Sequence, residues 1–280
     1  MNLLGKISYK ISTSKLAYLF RKYRGVFDDF ETLSKDIEKK EKILIFGKAA
    51  SVREISNVKL QNLLNIADYK ILANSVDIDN HPTLANTKFN VQCNTRVDDP
   101  NSISSVYDLE TLKDHEIKAL CVNSYPEYQN GVSIERFRKF YKRFGLKLLY
   151  MDKGYSPISE DASDYGGRGL TIVQKIICQA ISCDSVKKIY LVGVDFFGTK
   201  YLDSNRKKNK KDINRFYSFN AASNDPRSTH GLPLLNYICE LCNSYEFYKD
   251  KKLYIPQEVK PYMDLKYRKL LNNSKGFKFI

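Results

Sequence analysis

Residues 166–198 read GGRGLTIVQKIICQAISCDSVKKIYLVGVDFFG and join a glycine-rich turn, a helix, a buried strand and an acidic strand exit. Gly166, Gly167 and Gly169 let the backbone approach a ligand closely, and Arg168 among them offers a cation for a phosphate or a sugar carboxylate. Such a unit presents backbone N–H groups and a helix N-terminus to an anion, which is how many nucleotide-phosphate sites are built. Asp195 follows the strand at its C-terminal end, where open α/β sheets hold their ligands. The same pattern also describes a plain helix–strand unit, so the glycines alone leave both readings open.

A second turn repeats the theme. In ILIFGKAASVREI, Gly47 comes straight after an apolar run, Ser51 is a candidate N-cap, and Lys48 beside exposed amides could meet a phosphate. The segment has neither the longer glycine loop of a P-loop nor the full GxGxxG fingerprint, which argues against ATP and NAD. Asn74 closes the next apolar run, ILANSVD; it is placed to hydrogen-bond a base or ribose and equally suits a turn. Of three histidines, His81 precedes Pro82 in a turn and His115 sits in the charged run DHEIK, which reads as surface. His230, in DPRSTHGLP, falls between a basic loop and a new helix, where a lid could carry it over a site.

The elements that must position these residues come in series. Strand signals fall at Lys42–Phe46, Tyr69–Ala73, Phe89–Cys93, Ile117–Val122, Leu146–Met151 and Lys188–Val192, with helical patterns at Ser133–Phe144 and Thr171–Cys183. The last strand run, KIYLVGV, is apolar almost throughout and predicts a central parallel strand covered on both faces. Alternation of strand and helix predicts an α/β fold, a Rossmann-like, mainly parallel sheet with helices on both faces and a small basic lid. Residues 1–41 read as an N-terminal basic amphipathic segment ending in a charged connector, Glu31–Glu41. Residues 42–203 read as the nucleotide-binding region, 204–229 as a mobile basic lid loop containing SNRKKNKKDINR, and 230–280 as the C-terminal part of the same domain, with a membrane contact.

At 280 residues and 42% hydrophobic composition the chain can bury a substantial core. A formal charge of +14 and a pI near 9.3 point to an anionic partner. No aromatic-basic, zinc-finger or helix-turn-helix signature accompanies that charge, so nucleic acid is not the expected partner. Six cysteines, Cys93, Cys121, Cys178, Cys183, Cys239 and Cys242, fall mostly inside apolar runs and read as free, buried thiols. The Cys239/Cys242 pair lacks the further ligands of a zinc site. No apolar run reaches the length of a membrane span, and the reading is a cytoplasmic protein. Leu3, Leu4, Ile7, Ile11, Leu16, Leu19 and Phe20, interleaved with Lys6, Lys10, Lys15, Arg21, Lys22 and Arg24, suit a helix lying on an anionic bilayer or packing on its own domain.

Taken together, G-K-A-A-S-V at 47–52, Asn74, the glycine turn at 166–169, G-V-D-F at 193–196 and His230 resemble the bacterial lipooligosaccharide sialyltransferases over residues 42–245. Those enzymes carry a G-N-G-P-S-L turn, an Asn closing the second strand, a T-S-G turn before a helix, an S-G-I-D-F strand exit and a G-H-S segment after a lid. In this chain Lys48, Ala49 and Ala50 replace the Asn-Gly-Pro, Gly167 and Arg168 replace the Thr-Ser, and Phe197 replaces a tyrosine.

The resemblance implies that Gly47, Lys48, Ser51 and Asn74 hold the cytidine monophosphate part of a CMP-sugar, with Gly169 and the adjoining helix N-terminus facing the donor; Gly167 in the same turn, and Asp195 at the strand exit, which orders the turn or hydrogen-bonds the ribose or acceptor, are further candidates by position. It implies that His230 is the catalytic histidine, that Tyr201 meets the leaving phosphate, that transfer inverts the anomeric centre, and that no metal or other cofactor is required; Arg168, a departure from the family pattern, offers by its own charge a cation for the sugar carboxylate or the phosphate. The implied partners are the CMP-sugar donor and a glycan or glycolipid acceptor, with an anionic membrane surface and a homo-oligomer as further expectations. Two alternatives stay open: transfer from CMP-Kdo, and an ATP- and Mg²⁺-dependent pyrophosphokinase resembling MptE, for which Asp161, Asp164 and Asp195 would be the carboxylates.

Overall fold

The computed structural model describes residues 19, 25, 27–47, 49–73, 83–84, 87–94, 109–122, 131–151, 172–196, 238–240, 243, 250–263 and 265–280. Nine strands form one sheet: β1 (Phe30–Thr32), β2 (Lys42–Phe46), β3 (Tyr69–Ala73), β4 (Val91–Asn94), β5 (Ala119–Val122), β6 (Lys147–Tyr150), β7 (Lys188–Val192), β8 (Lys252–Ile255) and β9 (Phe277–Phe279). Their order across the sheet is β1-β6-β5-β4-β3-β2-β7-β8-β9. Every neighbouring pair is parallel. The sheet is therefore Rossmann-like and more uniformly parallel than the sequence required. Ile43, Leu44, Ile45 and Phe46 of β2 are fully buried, so the central strand shows no polar alternation.

Among the described residues, these α-helices accompany the strands: α1 (Leu33–Ile37), α2 (Asn57–Ile66), α3 (Leu109–Asp114), α4 (Gly131–Lys142), α5 (Ile172–Ile181) and α6 (Leu265–Asn272). The Thr32 hydroxyl caps α1 by accepting from the Lys35 amide at 3.2 Å, and Ser56 caps α2 through the Lys59 amide at 3.3 Å. The chain steps from β2 outward to β6, then returns past β2 to β7 and continues to β9. A right-handed crossover places its connection on one sheet face for outward steps and on the other for return steps. The contacts agree. Asp36 of α1 accepts from the Tyr69 hydroxyl, and Ser34 of α1 donates to Gln179 of α5 at 3.1 Å, so α1 and α5 share a face. Helix α2 lies on the opposite face, beside Tyr190.

Several expectations need correction. The stretch Glu31–Glu41, read as a connector, contains the end of β1 and all of α1. Its charges are the outward residues of a short helix whose Leu33, Ser34 and Ile37 are buried. His115 is 1% exposed instead of a surface residue; its Nδ1 lies 2.8 Å from the Thr87 carbonyl and its ring packs edgewise on Phe89. KIYLVGV does not run as strand to Val194: β7 ends at Val192, and Gly193 turns out of the sheet with φ +63°. The lid loop 204–229 and residues 1–18 lie outside the described residues. No helix among the described residues is long and apolar enough to cross a membrane.

Candidate active site

At the point where the strand order reverses, β2 and β7 lie side by side and their C-terminal ends open into the crevice that open α/β sheets use for ligands. Two glycines leave the strands there. The Gly47 amide donates to the Val192 carbonyl at 2.8 Å, and the Ala49 amide donates to the Gly193 carbonyl at 2.9 Å, so the pairing continues one step beyond the ladder. A Cβ on either glycine would run into the backbone carbonyl oxygen of the other. Only glycine fits at both places, and Gly193 needs glycine also for its positive φ.

This close approach aligns the segments that follow. After Gly47 the chain enters a 3-10 helix, Ala50–Glu54; after Gly193 it reaches Asp195 and then Phe196, at φ +50° and stacked on Tyr267 with centroids 5.2 Å apart. The Ser51 hydroxyl donates to Asp195 Oδ2 at 2.9 Å, and both residues are 2% exposed. The buried Ser51–Asp195 hydrogen bond at a strand terminus holds the two turns in one register. The 3-10 helix is braced by a second one, Gln257–Tyr262, through the Tyr262 hydroxyl and Glu54; Lys59 Nζ, with Glu258 at 2.8 Å and the Ile280 carbonyl at 2.6 Å, supports it from α2.

Of the residues singled out in the sequence, Gly47, Ser51 and Asp195 come together in this crevice. Lys48, Asn74, Gly167, Arg168, Gly169, Tyr201 and His230 lie outside the described residues, as do Asp161 and Asp164 of the alternative reading. Sequence reasoning gave Gly193 no role of its own. Its signal was present: each of the two adjacent strands ends in an apolar residue followed directly by glycine. Among the described residues no cluster of three or more His, Cys, Asp or Glu side chains could hold a metal ion.

The fold is an open, doubly wound α/β sheet whose switch point lies between β2 and β7. No family model matches the chain, and no curated protein matches it. Several solved structures are similar. The sialyltransferase CstII from Campylobacter jejuni, in complex with the substrate analogue CMP-3FNeuAc, is 16% identical over 86% of this chain and 89% of that one, with a TM-score of 0.47. The monofunctional alpha-2,3-sialyltransferase Cst-I from the same organism is 18% identical over 76% of this chain and 74% of that one, at 0.45. The sialyltransferase CST-II in complex with trisaccharide acceptor and CMP is 19% identical over 77% and 80%, also at 0.45.

Proposed function

We propose that the chain is a CMP-sugar-dependent glycosyltransferase that moves a sialic acid, or a similar 2-keto sugar acid such as Kdo, to a glycan acceptor. The observation that carries this reading is the Ser51–Asp195 hydrogen bond. It joins G-K-A-A-S and G-V-D-F, 144 residues apart, which are two of the motifs that carry the resemblance. The glycines beneath them let the two strand exits meet backbone to backbone, which brings the two turns together.

In the proposed reaction His230 removes the proton from an acceptor hydroxyl, a task suited to an imidazole near neutral pH. The acceptor oxygen bonds to the anomeric carbon as the carbon–oxygen bond to phosphate breaks, and CMP leaves with the electron pair. Tyr201 and Arg168 stabilise the charge that grows on the phosphate, where a donor aimed at developing charge contributes most. Attack from the face opposite CMP inverts the anomeric centre. CMP is already a good leaving group, so the reading assigns no step to a metal.

Titration calorimetry with CMP, ADP and UDP, with and without Mg²⁺, tests the proposal. CMP should bind without Mg²⁺ and more tightly than ADP or UDP, and His230→Ala should keep that binding while losing transfer. A preference for ADP with Mg²⁺, or no nucleotide binding at all, would overturn it.

A further inference from the structure

The return half of the sheet is unevenly dressed. Among the described residues, α5 lies on one face of the sheet and α2 on the other. On the α5 face Ile189, Leu191, Leu253, Ile255 and Phe277 are buried. The α2 face is different. In register across three strands run Lys42, Lys188 and Lys252, and in the next row Leu44, Tyr190, Tyr254 and Lys278. Paired residues in parallel strands project to the same side, so this face is lysine and tyrosine where its reverse is aliphatic.

Helix α2 walls this face on one side and leaves a groove of about 280 Å³ lined by Lys59, Asn62, Leu63, Ile66, Lys188, Tyr190, Tyr254 and Ile280. Lys59 is committed to Glu258 and the Ile280 carbonyl, and Lys252 Nζ donates to the Lys275 carbonyl at 3.0 Å. Lys188 in the lining and Lys278 on the exposed rim make no ion pair among the described residues. Asp68 and Glu41 are the carboxylates that reach Tyr190 electrostatically, and burial, the larger effect, also holds its hydroxyl protonated as a donor.

Size and chemistry select the occupant. The volume suits a small ligand, at the lower end of the roughly 300–1,000 Å³ of such pockets. Tyr190 and Tyr254 stack on each other with centroids 5.1 Å apart and planes 23° apart, so a flat base finds little free platform. What remains is hydroxyl, ring edge, the Asn62 amide, three aliphatic residues and the Lys188 ammonium. The basic N-terminal segment carries the same sign as the lysines and is a poor cover for them. We infer that this groove binds the acidic end of an oligosaccharide, with Lys188 meeting the carboxylate or phosphate and Tyr254 and Asn62 meeting sugar hydroxyls, at a site separate from the crevice at Gly47.

Trigalacturonate is the probe, with maltotriose as its uncharged counterpart and phosphatidylglycerol vesicles as an anionic surface without sugar. Calorimetry should show trigalacturonate binding to the full chain, and maltotriose at least about tenfold more weakly. Lys188→Gln and Tyr254→Ala should each weaken trigalacturonate about tenfold, and Tyr254→Phe, which keeps the ring stack and the melting temperature, about threefold. Asp195→Asn in the crevice should leave the affinity unchanged. The inference is overturned if trigalacturonate does not bind, if binding is lost with Asp195→Asn but kept with Lys188→Gln, or if only the vesicles bind. None of these outcomes depends on the CMP titration, so the two proposals fail separately.

Discussion

Asp195 is both buried and ionisable, and its hydrogen bond to Ser51 explains how a carboxylate is kept at a strand end inside the fold. Removing the hydroxyl takes away one of its donors, and a buried hydrogen bond to a charged group is worth about 1.5–3 kcal/mol. Ser51→Ala should therefore lower stability by about 2 kcal/mol in a denaturant melt and weaken CMP about tenfold, because the two turns lose their common register. Gly193→Ala should cost at least about 2 kcal/mol, since the new methyl meets the Gly47 carbonyl and the positive φ becomes strained. An alanine variant with unchanged melting would show that the two strand exits are not in contact. Gly47, Ser51 and Asp195 were each readable as site residues from type and spacing. Their juxtaposition was not, because residues far apart in the chain meet only through the pairing of β2 with β7.

Elements read most clearly where the chain is apolar without interruption. β2 and β3 fall at the residues expected, and β7 at the Lys188–Val192 part of its run, since three or four consecutive buried side chains leave a strand as the short solution. β4, β5 and β6 begin two, two and one residues later than expected, the usual uncertainty of strand ends. β1 and α1 were hidden because seven charged residues of 31–41 mask a short apolar stripe of Leu33 and Ile37. This edge is fastened by charge: Asp29 accepts from Arg138 and Lys142 of α4, and Asp36 pairs with Lys147 at 2.8 Å. Burial alone would raise the Asp29 pKa, but the hydrogen bonds from Lys142 and Arg138 outweigh it and hold the carboxyl below its ordinary 3.8. A depressed carboxyl stabilises the fold above the unfolded value and loses that contribution as pH falls through the folded one. Thermal melts should thus show wild type losing stability below about pH 4 more steeply than Asp29→Asn. Parallel curves would mean that Asp29 makes no net contribution.

At the scale of the whole molecule, the sheet buries its thiols. Cys93, Cys121, Cys178, Cys183 and Cys239 are free and buried, as the sequence led one to expect. Burial pushes the Cys178 thiol up to about 12 and the Cys183 thiol up to about 11, so neither offers a thiolate at neutral pH. A thiol-reactive chromophore should consequently label these five only on unfolding, leaving no more than one of the six cysteines fast in the native protein. Rapid labelling of two or more would mean that the sheet opens readily.

Composition and periodicity determined that this chain makes a parallel α/β sheet with its glycine turns at strand ends, because burial on both faces demands apolar runs and tight exits demand glycine. They also determined the basic balance of the surface. Strand order, and with it the meeting of Gly47 with Gly193 and of Ser51 with Asp195, was decided only in three dimensions. So was the lysine–tyrosine face beside α2, since KIYLV and KLYI come to share it only when β7 and β8 pair in register.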